Sequence, residues 1–141
     1  MDFLTSFQVT ASALTAERLR MNITAENVAN AQTTRTVEGG PYKRRDPVFV
    51  AQPFDEMLSQ EQMAGSTGVA VERIHVDERP PRRQYDPGHP DAKADGYVEM
   101  PNIDTVTEMV NMMSATHAYE NNVTVLNASK AMALKALEIG R

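Results

Sequence analysis

Residues 105–140 read TVTEMVNMMSATHAYENNVTVLNASKAMALKALEIG, a run with no proline and no glycine before its last position. Such a run predicts one long helix, with Thr105 and Glu108 spaced as a capping box and Gly140 as the C-terminal stop. Alternating steps of three and four carry Met109, Met112, Thr116, Tyr119, Val123, Leu126, Lys130, Ala133 and Leu137 along one stripe, the spacing of a coiled-coil seam. At about 1.5 Å per residue this helix is roughly 50 Å long. That is longer than a small domain is wide, so its apolar edge needs other helices to cover it.

Working outward, residues 5 to about 30 carry the same signature. Leu4, Phe7, Ala11, Leu14, Arg18, Met21, Ala25 and Val28 fall on three-four spacing, while Gln8, Thr15, Glu17, Asn22 and Glu26 occupy the other face. Each seam has one basic interruption, Arg18 or Lys130. Two readings stand: the aliphatic stem snorkels to water, or the charge fixes register. By pattern the first helix is about nine residues shorter than the second. If the two termini lie side by side, the surplus is the Met109, Met112 and Met113 end, where flexible methionines suit non-identical neighbours.

The middle of the chain differs in kind. Glu38-Gly39-Gly40-Pro41 is a turn by residue chemistry, and short strands are expected at Tyr42–Arg45 and Val48–Val50. Residues 55–68 are polar and aperiodic, the pattern of a mobile loop. Val69, Val71, Ile74 and Val76 make a strand with a slip between Glu72 and Arg73 that predicts a bulge. Pro80, Pro81, Pro87 and Pro90 then hold the chain in an extended, turn-rich connector with a short strand near Gln84 and Tyr85. Tyr97–Met100 is a last short apolar piece. The expected architecture is mainly α with a small β-rich insert, its long N- and C-terminal helices pairing as a coiled-coil-like domain. Residues 1–31 and 102–141 form the assembly domain and residues 32–101 the β-rich middle.

Composition narrows the function. The 141 residues carry a formal net charge of −5 and only small basic clusters, which argues against a nucleic-acid partner. Nine methionines, no tryptophan and 6% aromatic residues favour adaptable packing surfaces over a deep pocket. There is no cysteine, so disulfides, thiolate metal sites and cysteine nucleophiles are all excluded. No stretch approaches the length of a membrane span, and no cleaved secretory signal is visible at the start. Of three histidines, no pair has metal-ligand spacing. Asp86, His89, Asp91 and Asp95 are the best metal candidates, but the prolines splay them and the oxygen-ligand spacing of a calcium loop is absent. Glu72 or Asp77 with His75 is the best acid–base pair, and it defines no pocket. No catalytic residue, metal or cofactor is expected. Phe3 and Phe7 share one face of the first helical turns and read either as a seam contact or as a short motif recognised while the chain is extended.

Several stretches together resemble the flagellar rod and hook family: SALTAERLRMN at 12–22, NVANAQTTR at 27–35, GGPY at 39–42, YDPGHP at 85–90, GYV at 96–98 and MPN at 100–102. Within them Asn27, Ala29, Asn30, Asp86, Pro87, His89, Pro90, Pro101 and Asn102 carry the likeness. The resemblance implies a structural subunit of the proximal rod of the bacterial flagellar basal body, in the periplasmic space. It implies export through the flagellar type III apparatus without signal cleavage, with Phe3 and Phe7 matching the motif associated with the export gate. It further implies helical stacking on itself and on other rod subunits through the terminal helices. One departure is His117 where the family usually has an arginine, which removes a constant positive charge. The rival reading from the seams alone is a free-standing helical oligomer, an adaptor or secreted interaction module.

Overall fold

The computed structural model describes residues 3–53 and 67–139. The order is α1 (Phe3–Ala29), β1 (Arg45–Pro53), β2 (Thr67–Val76), β3 (Arg82–Tyr85), β4 (Tyr97–Met100) and α2 (Thr105–Ile139). This is the expected architecture: two long terminal helices around a small antiparallel insert. The expected mobile loop lies outside the described residues except for Thr67 and Gly68, which belong to β2. The Gly140 stop also lies outside them.

Helix α1 is the central layer. It packs against α2 on one side and against the β1–β2 hairpin on the other. Thr10, Leu14, Glu17, Met21, Thr24 and Val28 form the covered row toward α2, where the Thr116 hydroxyl meets the Met21 sulfur at 3.6 Å. The opposite row, Thr5, Val9, Ser12, Ala16, Leu19 and Ile23, faces the hairpin, and the Val69 amide donates to the Ser12 hydroxyl at 3.1 Å. Covered on two opposite faces, α1 has no single apolar stripe.

The seam differs from the expected one by a single residue. Leu14, Met21 and Val28 are half-buried as expected, but Ala11, Arg18 and Ala25 are exposed, and Thr10, Glu17 and Thr24 take their places. On α2 the covered row is Glu108, Met112, Ala115, Tyr119, Asn122, Leu126, Ser129 and Ala133. Met112, Tyr119, Leu126 and Ala133 hold, with Thr116 and Val123 partly covered beside them. Met109, Lys130 and Leu137 are exposed, as is Met113. The physical reason is closeness: Ala115 and Ser129 let the helix backbones approach, and the buried threonines satisfy their hydroxyls within their own helix. Thr10 donates to Ser6 O and Thr24 to Arg20 O, both at 2.8 Å, so each presents a methyl to its neighbour. Arg18 and Lys130 are both exposed, so neither places its charge inside the seam to set register.

The helices run antiparallel, with Asn27 across from Glu108 and Met21 across from Thr116. Stepping both helices at the same rise places Phe3 beside Met132–Leu134, so the last turn of α2 runs past α1. The unpaired surplus is therefore the C-terminal end, and the Met109–Met113 end lies alongside α1 with Met112 on the covered row and Met109 and Met113 turned outward. The start of α2 also differs in detail: Asp104 is the N-cap. It accepts from the Val106 amide at 3.3 Å and the Thr107 hydroxyl at 2.5 Å, leaving Glu108 free to turn inward.

In the insert, β1 pairs antiparallel with β2 from Arg45↔Val76 to Pro53↔Thr67. Val48 opposes Arg73 while Phe49 opposes Val71, so Glu72 is the extra residue of the expected bulge. Residues 42–44 precede β1 and are not strand. β3 and β4 form a second ribbon, Arg82↔Met100 to Tyr85↔Tyr97. Gly96 holds its tight turn at φ +76°, with Tyr85 so close that a Cβ would lie 2.8 Å from its ring.

Candidate functional site: a polar hub and an exposed helical edge

Two features stand out, one that joins the elements and one that none of them covers. The first is a hub of hydrogen bonds where the end of α1 meets the start of α2. Asn27 is 1% exposed and uses its whole amide: Nδ2 donates to Arg45 O (2.8 Å) and Glu108 Oε2 (3.0 Å), while Oδ1 accepts from Arg45 N (3.0 Å) and the Tyr42 hydroxyl (3.2 Å). Glu108, 2% exposed, also accepts from Arg44 Nε at 2.7 Å, and Arg44 pairs in turn with Asp46. Burial works against the Arg44 charge, but hydrogen bonds to Asp46 and Glu108 outweigh it and raise its pKa. Burial pushes the Tyr42 hydroxyl up. Five polar side chains thereby tie α1, α2 and the hairpin to one point.

The remaining motif residues serve structure. Asn30 donates back to Glu26 O and accepts from the Thr33 hydroxyl, stopping α1 beside the exposed Ala29. Asp86 accepts from the Gly88 amide at 3.2 Å and His89 Nδ1 from the Asp91 amide at 3.0 Å, folding the YDPGHP turn on itself with Pro87 and Pro90 outward. Asp91 then bonds Thr34 (2.8 Å) and pairs with Arg35, fastening the connector to the loop after α1. The Thr34 hydrogen bond, with Arg35 beside it, lowers the Asp91 pKa. Pro101 is fully buried and Asn102 exposed.

No catalytic geometry assembles from the candidate residues among those described. Asp91 and Asp95 are taken by arginines, and among the described residues no group of three His, Asp or Glu side chains could hold a metal ion. Glu72 pairs with Arg73 and Asp77 with Arg79, away from any acid–base contact with His75. No described helix is long and apolar enough to cross a membrane.

The second feature is exposure. Val106, Met109, Val110, Met113, Val125, Met132, Leu134 and Leu137 of α2 all face solvent. Among the described residues the buried apolar core is only Ala16, Ile23, Ala31, Val98, Ile103 and Ala115. The accessible surface is 10162 Å², against about 7,200 Å² for a compact globule of this mass.

Sequence reasoning singled out Asn27 as a motif residue and Glu108 as part of a capping box but missed the hub, because its partners Tyr42, Arg44 and Asp46 lie in or beside what reads as a short strand. The available signal was a glutamate on the covered row of α2, which needs a buried cation or donor.

A thin subunit whose two ends are its longest helices is a building block rather than a pocket. Residues 7–35 match the family profile described as Flagella basal body rod protein, and residues 94–139 match Flagellar basal body rod FlgEFG protein C-terminal. The two matches cover both helices of the pair and give the class, a flagellar rod protein. Three relatives bear the name Flagellar basal-body rod protein FlgC. That of Bacillus subtilis (strain 168) is 44% identical over 96% of this chain and 97% of its own length. That of Escherichia coli O6:H1 is 41% identical over the whole of both chains, and that of Borreliella burgdorferi 40% over 99% and 98%. The chain belongs to the FlgC family of flagellar basal-body rod proteins, as a structural subunit of the rod.

Proposed function

We propose that this subunit is exported through the flagellar type III apparatus and stacks in the proximal, periplasmic part of the rod, joining itself and other rod subunits through α1 and α2. It has no catalytic role. The observation that carries this reading is the uncovered apolar edge of α2 in a chain with so small a core, which makes association the main use of its surface. The deciding experiment is deletion of the chain in a flagellated cell. Loss of the distal rod and hook with the membrane-embedded base intact is expected, and normal hooks would reject the reading.

Phe3 and Phe7 are proposed as the export signal, read before α1 folds. Phe7 is half-buried in the folded subunit, so it also packs after delivery. The Phe3→Ala/Phe7→Ala chain should accumulate in the cytoplasm, with export reduced at least tenfold and cytoplasmic synthesis unchanged. Export at the wild-type level would show that the pair serves packing alone. A free-standing oligomer is the reading that the seams alone would allow. It would give stable small oligomers of the purified chain, with amide-exchange protection through Leu14 and Leu126.

A further inference from the structure

The β1–β2 ribbon has two outer edges, and its register shows which backbone groups point out along them. The Asp77 amide donates to Arg44 O at 2.8 Å, so residues 44 and 77 face each other as a hydrogen-bonded pair. Alternation along an antiparallel ladder then turns the backbone groups of Arg45, Pro47, Ile74 and Val76 outward. Beyond the bulge the Val69 amide reaches the Ser12 hydroxyl and so also points outward, which puts Phe49, Ala51, Pro53 and Val71 in the same class. Much of both edges is closed. Asn27 takes the amide and the carbonyl of Arg45, and Pro47 and Pro53 have no N–H to offer. Ser12 takes the Val69 amide, and Val71 is half-buried near Leu19. Two short stretches stay open among the described residues: 49–51 on β1 and 74–76 on β2.

The same two stretches carry the ribbon's exposed large apolar side chains, Phe49, Val50, Ile74 and Val76, each between 36% and 45% exposed. Sheet edges that stay single are blunted by charge, proline or cover. Here apolar side chains sit where the backbone is unpaired. The stretches lie at diagonally opposite corners of the ribbon, so one chain cannot pair its own two. They fit each other across two chains. Set antiparallel, Phe49 meets Val76, Val50 meets His75 and Ala51 meets Ile74, and both outer pairs exchange their N–H···O bonds. Pro47 then falls opposite Glu78, past the end of β2, and Pro53 opposite Glu72, the extra residue of the bulge. Sliding by two residues either way sets Pro47 against Val76 or Pro53 against Ile74 and loses a bond, so the prolines fix the register. Phe49 would enter on the side where Ile74 and Val76 border an open cleft of about 670 Å³ with Val37, Pro41 and Tyr42.

We propose that residues 49–51 of a second copy of this chain add as a third strand to the edge formed by residues 74–76. This rests on the rod reading and gives it a lateral contact in the insert, separate from the terminal helices. The edges that meet are different, so each copy keeps one of each kind free and the contact repeats from copy to copy. An extended segment of another protein is the competing occupant, and it would leave residues 49–51 unpaired.

The chain contains no cysteine, so introduced thiols report the contact. Within one chain Val50 opposes Ala70 and His75 opposes Asp46, which keeps thiols at 50 and 75 too far apart to join. Between copies they form a non-hydrogen-bonded pair, about 4.5 Å apart at Cα. The Val50→Cys/His75→Cys chain, mildly oxidised in basal bodies, should give dimers, trimers and larger species. Val50→Cys/Arg73→Cys, shifted by two residues, should cross-link at least tenfold less. The wild-type chain supplies a readout that no substitution disturbs. Its amides at Phe49, Ala51, Ile74 and Val76 should exchange freely in the dilute purified subunit and at least tenfold more slowly in basal bodies. Slowing at Ile74 and Val76 alone would give the edge to another protein and overturn the proposal. Free exchange at all four amides, no cross-link from Val50→Cys/His75→Cys, equal yields from the two thiol pairs, or a dimer band that never extends would overturn it as well. The rod reading is scored separately by the deletion strain. Normal hooks there reject the rod reading, whereas lost hooks with free exchange at the four amides reject the strand contact alone.

Discussion

At the scale of single residues the junction of the two helices depends on buried polar groups that match one another. Glu108 and Asn27 are almost completely buried, and their partners come from three elements. Removing one member leaves the others desolvated and unpaired, which for a buried ion pair costs about 3–5 kcal/mol. Glu108→Ala should lower the unfolding free energy, read by urea titration, by that order, whereas Glu120→Ala, which breaks an exposed pair with His117, should change stability by less than about 0.5 kcal/mol. Equal effects would mean that the hub does not hold the helices together. Acid response is set elsewhere. Hydrogen bonds from Arg79 hold Asp77 down to about 2, and the Thr107 hydroxyl and the Val106 amide lower Asp104 at the α2 cap. A depressed folded pKa contributes stability that is complete above the unfolded value, about 3.9, and is lost as pH falls through the folded value. Thermal stability should therefore hold above pH 4 and decline from there toward pH 2. Asp77→Asn should flatten that decline, and an unchanged slope would locate the titrating groups elsewhere. None of these partnerships is visible in sequence, since Asp77–Arg79 looks the same whether paired or solvated.

Among the elements, existence and order were legible and facing was not. Both helices, the two ribbons and the Glu72 bulge follow from breaks in proline and glycine and from changes of period. The seam was misplaced by one residue in both helices for one reason. Three-four spacing leaves a choice of companion row on either side of Met112, Tyr119, Leu126 and Ala133. Hydrophobicity points to Met109, Val123 and Leu137, whereas close packing selects Glu108, Ala115, Asn122 and Ser129. Small and self-satisfied residues sit inside, and large apolar ones are kept for the outside. A substitution pair tests this assignment. Ala115 is completely buried, so Ala115→Leu should overpack the helix interface and cost about 1–3 kcal/mol. Ala11→Leu, on the row that only the pattern favours, should stay within about 0.5 kcal/mol. Chemical unfolding of the two variants measures both, and the reverse order would restore the pattern-based seam. The candidate site was less legible than the fold. Phe3, Phe7 and the motif residues could be picked out by resemblance, but the hub needs three-dimensional neighbours, and the exposed edge is defined by what fails to cover it.

Over the whole molecule, the subunit separates what holds it together from what it offers to others. The hub and the α1-centred layers fasten one end of the helix pair, while the last turn of α2 runs on beyond α1 with Leu137 exposed. Side chains that gain nothing from folding of their own chain can be removed without loss to it. Ending the chain after Ala133 should therefore change the stability of the purified subunit by less than about 0.5 kcal/mol. The same truncation should abolish motility in the deletion strain although the protein is made and exported. A drop in stability of several kcal/mol would show that the last turns pack within the subunit, and swimming at the wild-type rate would show that they contribute nothing to the rod. Stability retained with motility lost is the pattern of a helix whose final turns are completed by a neighbour.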